Sequence, residues 1–428
     1  MQNRQIARLA VLLAGTFAST GLAAAKPSTG VTAAARSMHE RAIVLDTHFD
    51  TPANLGRPGW SIMDRHDSRT DGDQVDWPRM VDGGVDGGFF AIYTPSGPRT
   101  PEADRDARDF GFARGVQIRE MIARHPDRFL LAQTADDARK AVAQGKRAIF
   151  ISMENGSPFE ADLTLMRTFR ALGVTMMGPV HRKNNALADS ATDTPEWHGL
   201  SPKGREFIAE ANRLGVLIDL SHASDEVLRQ AVALSKVPVI LSHSGMRAVY
   251  DHARNVSDAD AKLVADHGGV VSITAFRDYM VDTPEIAART DALKQLMSDF
   301  AAVGTMTVAQ KRTLIAKRDE IDRRYPVPQA SLSNFMDHLL HAIRLLGVDH
   351  VGISGDFDGG GGVEGLEDVT DYPKITEALL KAGYSPDDIA KLWGGNVLRV
   401  LREVQAFANS HEQPVKAFIS AVGSHRCP

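Results

Sequence analysis

Short apolar runs alternate with longer segments of helical character along most of this sequence. Three of the longer segments, Pro202–Leu214, Ser224–Ser235 and Ser257–Asp266, are opened by a serine or a Ser-Pro pair, a common helix start. The apolar runs have the lengths of buried strands. They are Ala42–Leu45, Gly88–Tyr93, Ala148–Ser152, Val174–Val180, Val216–Leu220, Pro238–Leu241, Gly269–Ile273 and His350–Ser354. Eight strands, most of them followed by a helix, predict an α/β fold of the (β/α)₈ (TIM-like) barrel type rather than an open sheet.

One long insertion interrupts this alternation. Such a barrel needs about 250 residues or more, and the 428 residues of the chain leave room for additions. The largest addition is Val281–Ala330, between the seventh and eighth predicted strands, and it is rich in helix formers and charge. We predict a helical excursion over one end of the barrel. No repeat or linker divides the chain, so residues 26–428 are expected to form a single domain.

The N-terminus has a separate character. Arg4 and Arg8 precede an apolar run that ends near Phe17, and small residues then lead to Ala25. This is the pattern of a secretory signal peptide, and it fits better than the alternative of an amphipathic helix. Residues 1–25 are therefore predicted to be removed, which places the mature protein in the periplasm or outside the cell.

Composition narrows the classes of partner and ligand. The net charge of −5 and the pI near 6.3 show no basic excess, which argues against a nucleic-acid partner. No segment after the predicted signal peptide is long and apolar enough to span a membrane. Cys427 is the single cysteine, so a disulfide framework and a cysteine zinc site are both excluded. A metal in this protein would need nitrogen and oxygen ligands.

Imidazole or carboxylate side chains follow six of the eight predicted strands. They are His48 and Asp50 after the first strand, Glu154 after the third, His181 after the fourth, His222 after the fifth, His243 after the sixth, and Asp356 and Asp358 after the eighth. In a (β/α)₈ barrel the carboxyl ends of the strands form the face that carries active sites. Each residue alone is more often a helix cap or a buried polar residue, but their shared placement predicts a metal site.

The donor types indicate the metal and the chemistry. Three histidines with Asp and Glu, and without a thiolate, suit zinc in a hydrolytic site, with manganese or cobalt as alternatives. Five donors exceed the three protein ligands of a mononuclear catalytic zinc, so two ions fit better. A glutamate bridging both ions would make a two-metal hydrolase centre with a shared hydroxide. His48 and Asp50 would then hold one ion, and Asp46 would support them from behind.

Several longer blocks carry a family resemblance. They are "DTHFDTP", "QVDWPRMVDGGVDGGFFAIYTP", "MENG", "VHRKNNALAD", "IDLSH", "VILSHS", "HARNVSD", "GISGDFDG", "GLEDVTDYPKI" and "GGNVLRV". On these blocks, which extend over most of the mature chain, the protein resembles the membrane (renal-type) dipeptidases, in particular their bacterial exported members. These are zinc metallopeptidases with a (β/α)₈ barrel.

The resemblance implies a set of metal ligands. His48 and Asp50 match the ligands of the first zinc, and Glu154 matches the carboxylate that bridges the two ions. His222 and His243 match the ligands of the second zinc.

The resemblance also implies residues that act on the substrate. His181 matches the histidine that contacts the scissile carbonyl oxygen, and Asp356 matches the acid–base residue. Arg254, in "HARNVSD", matches the arginine that binds the terminal carboxylate of the substrate. Tyr279 matches a tyrosine at the substrate end of the seventh strand.

The activity implied by the resemblance is hydrolysis of dipeptides by an exported, homodimeric enzyme with two zinc ions per subunit. Its substrates would be L-Xaa-L-Xaa and also L-Xaa-D-Xaa dipeptides. Two alternatives stay open: another amide or lactone hydrolase on the same two-metal centre, and a binding protein descended from the family. Amidohydrolase relatives often carry a carboxylated lysine where Glu154 stands, and no lysine ends a strand here.

Two local features complete the sequence-based expectations. The family often has Glu-Gly-Gly-His after the third strand, whereas here Glu154 is followed by Asn155-Gly156-Ser157, so the shape of the pocket is expected to differ. His338 and His341 share one face of a predicted helix, and we expect that face to be solvated.

Overall fold

The computed structural model describes residues 30–301 and 306–411, so the predicted signal peptide and Cys427 lie outside the described residues. Within them the chain forms ten strands. They are β1 (Leu45–Phe49), β2 (Gly87–Tyr93), β3 (Phe129–Leu131), β4 (Arg147–Glu154), β5 (Val174–Met177), β6 (Leu217–Ile218), β7 (Ile240–Met246), β8 (Asn255–Val256), β9 (Val270–Thr274) and β10 (Val351–Ser354).

The same residues form fourteen α-helices. They are α1 (Ala33–His39), α2 (Trp77–Asp82), α3 (Pro101–Arg124), α4 (Ala135–Ala143), α5 (Leu165–Leu172), α6 (Pro202–Leu214), α7 (Asp225–Leu234), α8 (Asp258–Asp266), α9 (Ala287–Ala301), α10 (Val308–Arg324), α11 (Leu332–Leu346), α12 (Tyr372–Lys381), α13 (Pro386–Ala390) and α14 (Asn396–His411). A π-helical turn, Lys391–Gly395, joins α13 to α14.

The strands pair in parallel and close into a barrel. One sheet has the order β1-β2-β4-β5-β6, with β3 added on β4, and the other has the order β10-β9-β7-β8. Single bridges join the two sheets on both sides: Asp219, just after β6, pairs with Ile240, and Phe49 pairs with Phe357, just after β10. The predicted (β/α)₈ barrel is therefore confirmed, with β3 and β8 as two short additional strands.

Serine caps fix the starts of the three helices whose sequence signals were strongest. The side chain of Ser201 accepts a hydrogen bond from the Gly204 amide at the start of α6, and Ser224 and Ser257 cap α7 and α8 in the same way. A serine at this position satisfies one of the free amides of the first turn. The predicted helices are confirmed at these three places.

The barrel interior changes from apolar to polar towards the carboxyl ends of the strands. On β4, alternate residues share one face, so Phe150, Ser152 and Glu154 point the same way. Phe150 stacks on Phe89 of β2 with 4.8 Å between ring centroids, inside a buried apolar cluster that also includes residues of α14. This packing fills one end of the barrel and leaves polar groups at the other.

The insertion between β9 and β10 contains α9 and α10. No side chain of α10 is buried, but two ion pairs attach this helix to the loop that follows β1. Arg312 pairs with the buried Asp71, and Lys311 pairs with the buried Asp73. No helix among residues 30–301 and 306–411 is long and apolar enough to cross a membrane.

The predicted solvated surface on α11 is wrong for His338. Its side chain is fully buried, and Nδ1 accepts a hydrogen bond from the Met246 amide at 2.9 Å. The helix packs this face on the barrel, which the helical period alone could not reveal. His341 is half-buried and lies 2.9 Å from Asp258 Oδ1.

A buried histidine on α1 makes stability depend on pH. His39 Nε2 lies 2.9 Å from the Gly83 carbonyl oxygen, and Nδ1 lies 2.8 Å from Thr376 Oγ1, which accepts from Trp393 Nε1. The carbonyl can only accept, so Nε2 carries the proton and Nδ1 accepts from the hydroxyl. Burial lowers the pKa of His39 from 6.5 to about 3.

This pKa shift predicts a loss of stability in acid. The unfolded chain binds a proton at this position below pH 6.5, whereas the folded protein resists it until about pH 3. Between these values the free energy of unfolding should fall by about 1.4 kcal/mol per pH unit through His39 alone. Urea unfolding of the metal-free wild type and of metal-free H39Q from pH 7 to pH 4.5 measures the contribution of His39, because all other groups titrate equally in the two proteins. If the free energy of unfolding depended on pH in the same way in the two proteins, His39 would not be the cause of the loss of stability in acid.

Candidate active site

The predicted ligands converge at the carboxyl ends of the strands. His48 lies in β1, His243 lies in β7 and Glu154 is the last residue of β4. The strand register shifts between Asp46 and Phe49 and between Leu241 and Ser244. Such irregularities re-aim side chains near functional sites. They occur at both histidines that sit within strands.

Glu154 is the centre of the cluster. Its Oε1 lies 2.8 Å from His222 Nε2 and 3.4 Å from His243 Nε2. Its Oε2 lies 3.7 Å from His48 Nε2, which in turn lies 3.4 Å from Asp50 Oδ2. The two oxygens of one carboxylate therefore face two different sets of donors.

The spacing and bonding of these donors fit metal ions. Two ligands that are each ~2.1 Å from one ion at a tetrahedral angle lie ~3.4 Å apart, and the distances around Glu154 bracket that value. His48 Nε2 is buried and has no hydrogen-bond partner within residues 30–301 and 306–411. Buried polar atoms without a partner are rare, and they call for a ligand. The donor set of imidazoles and carboxylates suits zinc.

The electrostatics of the cluster favour a cation. Burial raises the pKa of Glu154 to about 8 and that of Asp356 to about 7, and the Asp50 carboxylate adds to both shifts. Burial opposes protonation of His48, but Glu154 and Asp50 outweigh it and raise the pKa of His48 well above its usual value. Carboxylates brought together out of water need compensating positive charge. A cation bound among these side chains would supply it.

The remaining imidazoles are neutral, which is the protonation state that a metal ligand requires. Burial holds the pKa of His222 and that of His243 well below the usual value, so both rings are neutral. Burial, together with the charges of Arg182 and Arg254, lowers the pKa of His181 to about 3. A neutral imidazole has a free lone pair for a metal or a substrate.

Asp46 supports the site through the backbone. Its Oδ1 accepts from the His48 amide at 2.8 Å, and its Oδ2 accepts from the Gly355 amide at 2.8 Å. The Tyr372 hydroxyl also donates to Oδ2. Asp46 thus ties the strand that carries His48 to the loop that carries Asp356, and among the described residues it makes no hydrogen bond with the His48 ring.

Asp219 and Ser242 form a second support that sequence reasoning missed. The Ser242 hydroxyl lies 2.5 Å from Asp219 Oδ2, to which it donates, and 2.8 Å from His243 Nδ1. Because the hydroxyl proton is given to Asp219, the oxygen accepts from His243 Nδ1–H. This bond leaves the Nε2 lone pair facing Glu154. The signal was present as a serine directly before each histidine in "IDLSH" and "VILSHS", and as an aspartate three residues before His222.

The two acids of "GDFDG" have different surroundings. Asp356 Oδ1 lies 3.9 Å from His48 Nε2, within the donor cluster. Asp358 accepts a hydrogen bond from the backbone N–H of Gln74 and another from the Thr51 hydroxyl, each at 2.7 Å. Asp358 therefore joins the loops after β10 and β1. Asp356 has a backbone φ of 52°, a left-handed conformation that few residues other than glycine adopt readily.

Asn155 shows why this chain departs from the Glu-Gly-Gly-His pattern. It has a φ of 78°, in the left-handed region that favours glycine and then asparagine. Its side-chain Nδ2 donates to the Thr94 carbonyl at 3.0 Å, and its Oδ1 accepts from Asn185 Nδ2 at 3.1 Å. Asparagine keeps the backbone turn after Glu154, and it adds one bond to the loop after β2 and one to the loop that carries His181.

This conformation predicts different costs for two substitutions of Asn155. N155A should lower the free energy of unfolding by about 2–4 kcal/mol, because alanine loses both the bonds and the tolerance for positive φ. N155G should lower it by only about 1–2 kcal/mol, since only the bonds are lost. Urea unfolding of the two variants measures the difference. Equal stabilities would show that φ is not the constraint.

A cavity of about 380 Å³ opens beside the donor cluster. Its lining residues are Asp50, Ala53, Tyr93, Glu154, His181, Arg182, His222, His243, Phe276, Tyr279, Asp356, Asp358 and Gly359. Sequence reasoning missed Tyr93, Arg182 and Phe276. Tyr93 ends β2, so the rule applied to the other strand ends could have found it.

Tyr279 lines this cavity as expected, but Arg254 does not. Tyr279 stacks on Phe276 with 4.3 Å between ring centroids, and the Arg254 guanidinium lies behind it, 5.2 Å from the ring. Arg254 is buried and donates to the carbonyl oxygens of Ser221 and His243. A guanidinium has five donors, so this anchorage leaves donors for a substrate.

Comparisons with known proteins agree with this geometry. The sequence pattern of the membrane dipeptidase family, peptidase family M19, matches residues 32–415. The chain is 30% identical over 348 residues to dipeptidase tcpJ of Claviceps purpurea, covering 79% of this chain and 71% of that protein.

Solved structures are similar over nearly their whole length. The crystal structure of the probable dipeptidase PvdM from Pseudomonas aeruginosa has a TM-score of 0.75 and 32% identity, covering 88% of this chain and 98% of that one. A metallopeptidase from Rhodobacter sphaeroides, liganded with a phosphinate mimic of L-Ala-D-Ala, has a TM-score of 0.67 and 26% identity, covering 85% and 99%. The chain therefore belongs to the membrane dipeptidase family, peptidase family M19, and is a metallo-dipeptidase.

Proposed function

We propose that this enzyme hydrolyses the peptide bond of free dipeptides with two zinc ions per subunit. The observation that carries the proposal is the orientation of the Glu154 carboxylate. Its Oε1 faces His222 and His243, and its Oε2 faces His48. A carboxylate with one oxygen on each side is the ligand that two neighbouring ions share. His48 and Asp50 complete one ligand set, and His222 and His243 complete the other.

The zinc ions would supply a hydroxide at neutral pH and a Lewis acid for the substrate carbonyl. The protein supplies the remaining groups. Asp356, inside the donor cluster, takes the proton of the nucleophile and passes it to the leaving amine. His181 is neutral and lies 3.6 Å from Glu154 Oε1, where it donates to the carbonyl oxygen as negative charge develops.

The substrate range follows from the walls of the cavity. Arg254 binds the terminal carboxylate when Tyr279, which covers it, moves aside, and this contact favours short substrates with a free C-terminus. The similar Rhodobacter enzyme binds a mimic of L-Ala-D-Ala. This likeness supports hydrolysis of L-Xaa-D-Xaa as well as L-Xaa-L-Xaa dipeptides. The N-terminal pattern of residues 1–25 supports action in the periplasm or outside the cell.

The experiment is a dipeptide assay on purified mature protein, residues 26–428. L,L- and L,D-dipeptides and their C-terminal amides are assayed with zinc, after chelation, and after zinc is restored. We expect cleavage of the free dipeptides that is lost on chelation and regained with zinc, and resistance of the amides. Failure of metal-loaded protein to cleave any dipeptide would overturn the substrate assignment and favour another amide or a lactone.

A further inference from the structure

Arg182 is an unpaired cation on the wall of the catalytic cavity. Its side chain is exposed, it lines the cavity beside His181, and it makes no ion pair or hydrogen bond with residues 30–301 or 306–411. Its backbone is fixed, because the Arg182 carbonyl accepts from Thr192 Oγ1 at 2.9 Å and the His181 carbonyl accepts from Ser190 Oγ at 2.6 Å. The backbone from which the guanidinium extends is thus fixed beside the cavity, and the guanidinium itself has no partner among the described residues.

Neighbouring cations do have partners. Lys183, the next residue, lies 3.2 Å from Asp193 Oδ1, and Arg99 pairs with Glu196 through two hydrogen bonds. Neither lines the cavity. Arg182 therefore differs from the surface cations around it in both position and bonding.

Each of the four acids that line the cavity already has a role in the active site or a hydrogen-bond partner. Asp50 and Glu154 belong to the metal ligands, Asp356 belongs to proton transfer, and Asp358 accepts from Thr51 and Gln74. Burial is the main cause that lowers the pKa of His181 and raises that of Tyr279, and the positive charge of Arg182 adds to the first shift and partly offsets the second. Arg182 therefore lies close enough to act on both sides of the cavity. No acid in the lining of the cavity is left to pair with Arg182, so a carboxylate that pairs with it would be one that the ligand brings.

We propose that Arg182 determines specificity by binding an acidic side chain of the dipeptide, so that dipeptides containing Asp or Glu are preferred substrates. This inference rests on the proposed function. Arg254 is anchored beside the metal ligands and is assigned the terminal carboxylate, which leaves the side-chain carboxylate for Arg182. The planar guanidinium can receive that carboxylate through two parallel hydrogen bonds. Tyr93, 37% exposed on the same wall, can cover the aliphatic part of the side chain.

The test compares acidic dipeptides with their neutral isosteres. We would measure kcat/KM for L-Ala-L-Glu against L-Ala-L-Gln, and for L-Glu-L-Ala against L-Gln-L-Ala, with zinc-loaded wild type, R182Q and K183Q. At least one acid-to-amide ratio should be about tenfold or more in the wild type. That ratio should fall to near one in R182Q and stay unchanged in K183Q, which removes the same charge one residue away. A ratio within one enzyme does not depend on its active fraction.

Three outcomes would overturn the proposal. The first is a ratio near one in the wild type, and the second is a high ratio that survives in R182Q. The third is an equal fall of kcat/KM in R182Q for all free dipeptides, acidic and neutral alike, because Arg182 would then bind the terminal carboxylate. In each case dipeptides are still cleaved, so these outcomes differ from failure of the proposed function, in which no dipeptide is cleaved.

Discussion

Replacing Glu154 by glutamine should remove most of the bound metal and lower kcat/KM by at least about 10³-fold, or about 4 kcal/mol. Glutamine keeps the shape of the side chain but loses the negative charge and one of the two acceptor oxygens. The lost oxygen lies beside either His48 or the pair His222 and His243, so one ligand set is always broken. Metal analysis after dialysis and a dipeptide assay measure the two effects.

A matched control separates this effect from general damage. Glu160 is also buried and accepts from the Ala186 amide, but it does not line the catalytic cavity. E160Q should keep the metal content and the activity of the wild type. Metal-free E154Q should unfold at no lower urea concentration than metal-free wild type, because the buried carboxylate has been removed. E154Q with full metal content and activity would contradict the role of Glu154.

Replacing Asp356 by asparagine should lower kcat by about 10²–10⁴-fold, the range typical of a lost general acid or base. The bound metal should remain, since the ligand sets around Glu154 are unchanged. The side chain keeps its size and its left-handed backbone, which asparagine also tolerates. Turnover and metal content of D356N measure the two expectations.

Asp358, two residues further on, provides the contrast for this assignment. D358N weakens a bond to Gln74 or Thr51, so we expect a loss of about 1–3 kcal/mol in the free energy of unfolding. Its kcat should stay within about tenfold of the wild type, because its oxygens are committed to the loops. A larger fall in kcat for D358N than for D356N would exchange the roles of the two acids.

The strand ends were the most informative part of the sequence. Parallel strands of a barrel present their carboxyl ends to one face, so local sequence could group Glu154, His181, His222 and Asp356 without any knowledge of register. The serine caps of α6, α7 and α8 were equally readable, because a cap involves neighbours three residues apart. Local rules succeed where the interaction itself is local.

Exact strand bounds were less predictable. The first predicted strand, Ala42–Leu45, ends at the first residue of β1, and the sixth, Pro238–Leu241, begins before β7. His48 and His243 therefore sit inside strands, at register shifts rather than after the strand ends. A register shift is a property of two paired strands, so one strand's sequence does not contain it.

The barrel, its catalytic face and the donor types could be predicted from the amino-acid sequence, because they follow from side-chain period, strand direction and ligand chemistry. Which atoms meet depends on the folded arrangement of the whole chain. Closure of the barrel brings Asp219 to Ser242, divides the oxygens of Glu154 between two sets of histidines, and buries His338. It also covers Arg254 with Tyr279 and leaves Arg182 on the cavity wall without a partner in the part of the chain that the structure describes. These contacts join residues far apart in the chain, so their geometry depends on how all the strands and helices pack together.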